Sequence, residues 1–250
     1  MSTSRPRRGD HALVLRWQPP HDPLPLGVVS ASRPRLATPS PPWHDTGTPG
    51  EPFDFCGHVR RLLDDIVRRS PALAHIDVQR ILIAFTQARS PRVHGLQARV
   101  TPLRFPGGEL TRMRRGVLYQ VQRYFDGDHE FLYLLTFCLP RFLDQDFDHK
   151  MVTLLHELYH LGPAFDGDLR RHDGRYELHT HSQREYDRKM AELARNYLQT
   201  SPDPALHAFL RLSFAQLQER HGKVFGIKVP RPKIIPLLTS AARDTASELR

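Results

Sequence analysis

The sequence predicts an α+β domain in which a short antiparallel sheet, built around a hairpin, packs on a buried helix and is followed by further helices. Two β-rich runs flank the turn Asp126–Asp128, as the arms of a hairpin do. Three stretches with a helical hydrophobic period come after these runs. Strands followed by helices are typical of the α+β class.

Proline divides the 250-residue chain into segments. Eleven of the 22 prolines fall within residues 1–52, a stretch with no sustained hydrophobic period. Because proline lacks a backbone donor and little here can be buried, we expect residues 1–51 to form a Pro-rich disordered segment. We assign the folded domain to residues 52–221. Residues 222–250 are expected to form a basic, proline-containing tail that wraps the surface or stays loose.

The first elements of the domain are predicted to be one helix and two strands. Phe55 to Arg69 carries apolar residues at the helical period, and Pro71 ends the pattern. Val78 to Phe85 is short and rich in branched residues, which predicts a buried strand. Gln97 to Phe105 alternates and predicts a second strand, in which Pro102 marks an edge or a bend.

The hairpin comes next in the chain. Its arms are predicted to be Val117–Phe125 and Glu130–Leu139, joined by the Asp-Gly turn. The second arm ends at Pro140.

The helix after the hairpin is predicted to run from Asp148 to Leu161. Its N-cap is Asp146 or Asp148, and Gly162–Pro163 ends it. Residues 164–181 are predicted to form a loop with two Asp-Gly turns.

Two more helices follow the loop. Ser182 and Glu185 have the spacing of a capping box, which predicts a helix that starts there and extends to about Gln199. Pro204 to His221 is predicted to form the last helix.

The charge of the chain leaves two interpretations open. The net charge is +9 and the isoelectric point is near 10, which favours loose contact with nucleic acid or another polyanion. No helix-turn-helix, zinc-finger or RNP-type pattern accompanies this charge, so a basic surface that only keeps the protein soluble is the alternative.

Composition predicts a cytoplasmic protein without a membrane span. The apolar run Ala12–Leu15 is too short for a signal peptide or a span. Cys56 and Cys138 lie 82 residues apart in the sequence and are expected to be reduced, partly buried thiols.

A metal-binding pattern lies in the helix predicted after the hairpin. The residues from His156 to His160 read H-E-L-Y-H and match H-E-x-x-H. Residues four apart on a helix lie one turn above each other, so both imidazoles can reach one ion. Neutral histidine nitrogen is a good zinc ligand. Glu157 is placed to accept a proton from a metal-bound water without being a ligand itself.

The pattern predicts a zinc site with Glu157 as general base. Two alternatives stay open: histidines that are only hydrogen-bonded polar groups of the core, and a zinc site that is structural or catalytically inactive. A buried glutamate between two histidines needs partners of its own, and this favours the zinc site.

The third zinc ligand is predicted to lie downstream. The extended pattern H-E-x-x-H-x-x-G-x-x-H is disfavoured because the chain has Pro163 and Asp166 at its last two fixed positions. His181 is the first candidate because it precedes the expected helix cap, His179 is the alternative, and His172 comes third.

At these residues the chain resembles the SprT-like zinc metallopeptidases, and it is most similar to a group of phage metallopeptidases. The H-E-L-Y-H helix, the hairpin before it, and the run from His181 to Tyr186, a histidine followed by Glu185 and an aromatic, carry the resemblance. It covers residues 75–200 and implies a compact zincin fold, a bound zinc ion, and a link to DNA-associated protein cleavage.

Four other residues near the motif have two interpretations each. Asp166 and Asp168 could orient a ligand histidine, or could only form turns and pair with arginines. Tyr159 and Tyr186 could stabilise an oxyanion, or could only pack.

The leading functional hypothesis is a zinc-dependent peptidase acting on a polypeptide substrate, with the edge of the strand that ends at Pro140 binding an extended peptide. The second hypothesis is a zinc-stabilised basic module that binds nucleic acid or a partner without catalysis.

Overall fold

The computed structural model of the chain describes residues 46–88, 95–170 and 183–237, and the side chains of 183–185 are outside the description. The expected Pro-rich segment 1–51 lies outside the described residues except for its last six. The expected capping box of Ser182 and Glu185, and the candidate ligands His172, His179 and His181, also fall outside.

Helices and short sheets together make an α+β arrangement, as predicted. The helices are α1 Phe55–Arg69, α2 Phe147–Tyr159, α3 Gln183–Gln199, α4 Pro204–His207 and α5 Phe214–His221. The strands are β1 Phe53–Asp54, β2 Ile81–Gln87, β3 Ala98–Pro102, β4 Thr111–Arg114, β5 Val117–Val121, β6 Tyr124–Asp126, β7 His129–Phe131, β8 Tyr133–Leu139, β9 Val224–Phe225 and β10 Ile234–Pro236.

The sheet next to the motif helix has the order β2-β8-β3 and is mixed, which corrects the predicted antiparallel sheet. β2 runs parallel to β8, and β3 runs antiparallel to it. All seven residues of β8 are buried, as the nearly continuous apolar run of a central strand requires. The strand that ends at Pro140 is therefore flanked on both sides, and the prediction that its edge binds a peptide is wrong.

The predicted hairpin exists but is shorter than its two β-rich arms. β6 and β7 pair antiparallel across the turn at Gly127, which has a positive φ of 58°. The first arm continues as β5 in a separate sheet of order β10-β5-β4, while the second arm continues as β8. The arms separate because, away from the turn, β5 pairs with β4 and β10 while β8 pairs with β2 and β3.

The motif helix α2 begins and ends close to its predicted limits. Its N-cap is Asp146, whose side chain accepts a hydrogen bond of 2.8 Å from the backbone N–H of His149. Its apolar side is buried against β3 and α3. The fully buried apolar residues of this helix are Met151, Leu154, Leu155 and Leu158.

The last predicted helix, Pro204–His221, is interrupted. Residues 208–211 form a 3-10 turn, and Ser213 starts α5 with a capping box. The buried Lys150 of α2 donates hydrogen bonds of 2.9 and 2.8 Å to the carbonyls of Leu210 and Leu212. These bonds hold the interruption against α2, and they involve a residue 60 positions earlier in the chain.

The described part of the predicted tail takes part in the fold. β9 pairs parallel with β1, and β10 pairs antiparallel with β5. The backbone N–H of Phe85 donates to the carbonyl of Ile227 at 2.8 Å. Gly226 allows close approach here, because a Cβ at this position would lie 2.7 Å from the Cys56 sulfur.

Two predictions from composition can be compared with the described residues. Cys56 and Cys138 are both free and buried, as expected. Within the described ranges, no helix combines the length and apolar character needed to cross a lipid bilayer.

Candidate metal centre

The side chains of His156 and His160 converge on one side of α2. Their Nε2 atoms are 2.8 Å apart, and the ring centroids are 4.4 Å apart with the planes nearly perpendicular. His156 lies in the last turn of the helix, and His160 is its C-cap residue. The i,i+4 spacing therefore brings both ring nitrogens to the same point, as helix geometry predicts.

The ring of Tyr186, on α3, packs against both histidines. It lies 4.9 Å from the His156 ring in an edge-on arrangement and 6.0 Å from the His160 ring in a stacked one. Tyr186 is buried, and burial is the main cause that raises the pKa of its hydroxyl above its usual range. These contacts favour the packing interpretation, in which the aromatic ring holds the imidazoles in place.

Glu157 points from α2 toward the neighbouring sheet. It is only 7% exposed, and its Oε2 accepts a 2.7 Å hydrogen bond from the backbone N–H of Val100 on β3. Burial raises the pKa of this carboxyl to about 7, although the Val100 hydrogen bond and the positive charge of Arg99 act in the opposite direction. A carboxyl with a pKa near 7 can exchange a proton at neutral pH.

Val100 is a residue of the site that the sequence did not identify. The backbone bonds from Cys138 to the carbonyl of Gln97, and from Leu103 to the carbonyl of Leu132, show which residues of β3 face β8. Since backbone groups alternate along an antiparallel strand, Val100 directs its N–H away from β8 and toward Glu157. The side of β3 opposite to β8 thus borders the motif helix.

Tyr159 and two cations form a second cluster beside His160. The Arg170 guanidinium lies 4.2 Å from the Tyr159 ring centroid and donates to the Tyr159 carbonyl at 2.9 Å. Lys189 of α3 donates to the Tyr159 hydroxyl. The ring of Tyr159 thus packs against cationic groups, which favours the packing interpretation for this residue as well. Lys189 was not singled out from the sequence.

The loop after α2 folds back on the helix end. The backbone N–H of Arg170 donates to the His160 carbonyl at 2.7 Å, which satisfies the end of the helix. Asp166 accepts from the Asp168 N–H at 3.0 Å, and Asp168 accepts from the Gly107 N–H at 2.7 Å. Both carboxylates therefore bind backbone N–H groups, as the turn-forming interpretation expects.

A third metal ligand is not found among the described residues. Across residues 46–88, 95–170 and 183–237, no group of three His, Cys, Asp or Glu side chains could hold a metal ion. The predicted candidates His181, His179 and His172 lie outside these ranges.

The two histidines fit a zinc ion as a pair of its ligands. The two Nε2 atoms are 2.8 Å apart, which is a hydrogen-bond distance. Two nitrogens bound to one tetrahedral zinc are about 3.3 Å apart, so the rings would have to separate by about 0.5 Å to bind the ion. Imidazole is also the ligand type that zinc prefers together with thiolate and carboxylate.

No protein family, characterised protein or solved structure matches this chain, so its function has to be inferred from its own residues.

Proposed function

We propose that the protein is a zinc-dependent peptidase of the zincin type, with His156 and His160 as two zinc ligands and His181 as the third. The observation that carries the proposal is the convergence of the two Nε2 atoms at 2.8 Å beside a buried glutamate on the same helix. His179 is the alternative third ligand.

The zinc ion would acidify a coordinated water and polarise the scissile carbonyl. Glu157 then accepts the proton from the attacking water and delivers it to the leaving amine. The Val100 N–H fixes one carboxylate oxygen and so orients the other for this transfer. Tyr186 packs against both imidazoles and limits their rotation.

The substrate polypeptide would bind along β3 rather than along the strand that ends at Pro140. In the described residues β3 pairs with β8 alone, so it is the edge strand of its sheet. Its outward backbone groups beside the motif helix are the Ala98 N–H and the carbonyls of Ala98 and Val100, because the Val100 N–H already donates to Glu157. An extended peptide that pairs with this edge would pass next to Glu157, as in β-augmentation.

Replacing Glu157 with Gln tests the proposal. The variant keeps the shape of the side chain but loses the base, so cleavage of labelled casein should fall by about 100-fold or more, while bound zinc is unchanged. Glu192→Gln, at an exposed position on α3, is the matched control and should cleave at the wild-type rate. Full turnover by Glu157→Gln would contradict the assigned role.

The second candidate is a zinc-stabilised basic module that binds nucleic acid without hydrolysis. The observation in its favour is a group of exposed arginines on β4 and its turn, Arg112, Arg114 and Arg115. A structural zinc site has no need for Glu157, so this function predicts zinc and salt-dependent DNA binding together with no cleavage by wild type.

A further inference from the structure

The sheet β10-β5-β4 carries most of the exposed apolar side chains found among the described residues. Large hydrophobics with high exposure are Leu96, Met113, Val117 and Ile234, and the last three belong to this sheet. Val117 and Ile234 project from one face of this sheet and Met113 from the other. Exposed apolar side chains on neighbouring strands of one face are a feature of interaction surfaces.

The charged side chains in the three strands and in the β4–β5 turn are all basic, and the exposed Glu109 lies two residues before β4. Residues 110–125 and 226–237, which contain its three strands, include seven Arg and Lys residues and no Asp or Glu. Arg123 forms an ion pair with Glu130, outside both segments. The other six basic residues are exposed: Arg112, Arg114, Arg115, Lys228, Arg231 and Lys233.

The strand register places arginine and apolar side chains on one face. Arg112 lies opposite Tyr119, and Arg114 lies opposite Val117. Directly paired residues project from the same side of a sheet. This face therefore presents two guanidinium groups next to Val117, an exposed aliphatic residue.

The turn between β4 and β5 adds a third arginine at the tip. Arg115 and Gly116 both have positive φ, 51° and 77°, as a two-residue type I′ turn requires. Asn, Asp or Gly is favoured at the first of these positions, and a long side chain there is strained. The chain nevertheless has arginine at the point where the ribbon extends furthest.

We propose that the β4–β5 ribbon binds double-stranded DNA through Arg112, Arg114 and Arg115, with the ribbon in the major groove. That groove admits a two-stranded β-ribbon, and arginine binds both phosphate and guanine. Strands of this length are about 16 Å long, enough to cross the groove. This interaction does not depend on the catalytic role of Glu157.

Double-stranded DNA fits the surface better than the other polyanions. The major groove of A-form RNA is too deep and narrow for side chains to enter. An acidic polypeptide supplies charge at irregular spacing, whereas the duplex offers a continuous row of phosphates to the three arginines of the ribbon.

The test measures binding of the full-length protein to a 20-base-pair DNA duplex by fluorescence anisotropy at several salt concentrations. Arg112→Gln/Arg114→Gln should weaken binding by more than about tenfold at 0.1 M salt and lower the magnitude of the salt slope by about 1.8. Arg115→Asn should also weaken binding, and because Asn tolerates positive φ, its melting temperature should not fall.

The matched control is Arg195→Gln/Lys223→Gln, which removes two exposed charges elsewhere and should retain wild-type affinity. The proposal is overturned if both double variants lose affinity equally. It is also overturned if an RNA duplex or poly-glutamate binds as tightly as DNA with the same dependence on Arg112 and Arg114.

Discussion

Two buried residues of the domain, Glu157 and His58, show how burial acts on opposite charge types. Burial disfavours the charged form in both cases, so it raises the pKa of the Glu157 carboxyl and lowers that of the His58 imidazole. Glu157 keeps a backbone donor from Val100 at 2.7 Å. A buried carboxylate without a donor would be costly, so this hydrogen bond is part of what allows an acid at this place.

His58 lies in α1 and has no part in the proposed chemistry. Its Nδ1 is 2.8 Å from the Asp54 carbonyl, and its ring stacks on Phe53 at 4.2 Å. Burial lowers its pKa to about 4, helped by the positive charges of Arg61 and His221 and opposed by the Asp54 hydrogen bond.

The buried imidazole predicts a pH dependence of stability. Between about pH 6.5 and pH 4 the unfolded chain binds a proton at His58 that the folded chain does not, so the free energy of unfolding falls as the pH falls. A shift of this size corresponds to about 3 kcal/mol over the window. Urea denaturation of wild type and His58→Gln at pH 7 and pH 4 should show a smaller loss for the variant. Parallel pH profiles would contradict this.

For single residues, the sequence predicted the contacts that depend only on the geometry of one helix. The spacing from His156 to His160 predicted a convergence that depends only on the helical turn. The contact of Glu157 with Val100, and that of Tyr159 with Lys189, join residues far apart in the chain. Their identity depends on the strand register and on helix packing, which no local pattern contains.

Among the elements, α1 and α3 are joined by one buried carboxylate. Asp65 of α1 accepts hydrogen bonds from Arg68 at 2.7 Å, from Arg69 at 2.9 Å and from the Tyr197 hydroxyl of α3 at 2.9 Å. Burial alone would raise the pKa of Asp65, but these three donors outweigh it and hold the pKa below its usual value. Since α3 also carries Tyr186, this link helps to position the ring that packs on the histidines.

Replacing Asp65 with Asn is expected to lower the free energy of unfolding by about 2 kcal/mol, because the buried Tyr197 hydroxyl and the two arginines lose the buried ionic acceptor. Chemical denaturation at pH 7 measures the change. Asp64→Asn, at the half-buried neighbouring position, is the control and should shift stability by less than about 0.5 kcal/mol. Equal losses in the two variants would show that the Asp65 contacts contribute little.

The limits of an element were predicted accurately where the helix cap and the hydrophobic period agree. They were predicted less accurately where pairing with a distant strand sets them. The helix Phe55–Arg69 has the predicted limits because apolar spacing and Pro71 both define it. The run Val117–Phe125 was expected to be one hairpin arm, but its first part pairs with β4 and β10. The interruption at residues 208–212 is held by hydrogen bonds from Lys150, so the hydrophobic period of residues 204–221 alone could not show it.

For the whole molecule, the predicted α+β class is correct. The strand pairings that join its parts link residues far apart in the chain. The mixed sheet depends on a parallel pairing of β2 with β8, strands about 50 residues apart, and the sequence gives no local sign of it. Residues 222–237 were expected to be part of a tail, yet they supply β9 and β10. Their apolar residues, such as the buried Ile227 and Ile235, were the signal available beforehand.

Three exposed arginines, Arg112, Arg114 and Arg115, lie together on the β4–β5 ribbon, and other exposed basic residues of the described part of the chain lie on α1 and α3. The motif helix packs against a different sheet, β2-β8-β3. Metal binding and DNA binding would therefore use different parts of the fold, and variants can separate the two.

The zinc content of the purified protein is the most direct test of the proposed metal site. Elemental analysis after chelator-free purification should give one zinc per chain for wild type, for Glu157→Gln, and for His149→Gln, an exposed histidine on the same helix. His156→Gln/His160→Gln should give almost none. Wild-type protein without zinc, or a double variant with the full amount, would contradict the claim that these two imidazoles bind one metal ion.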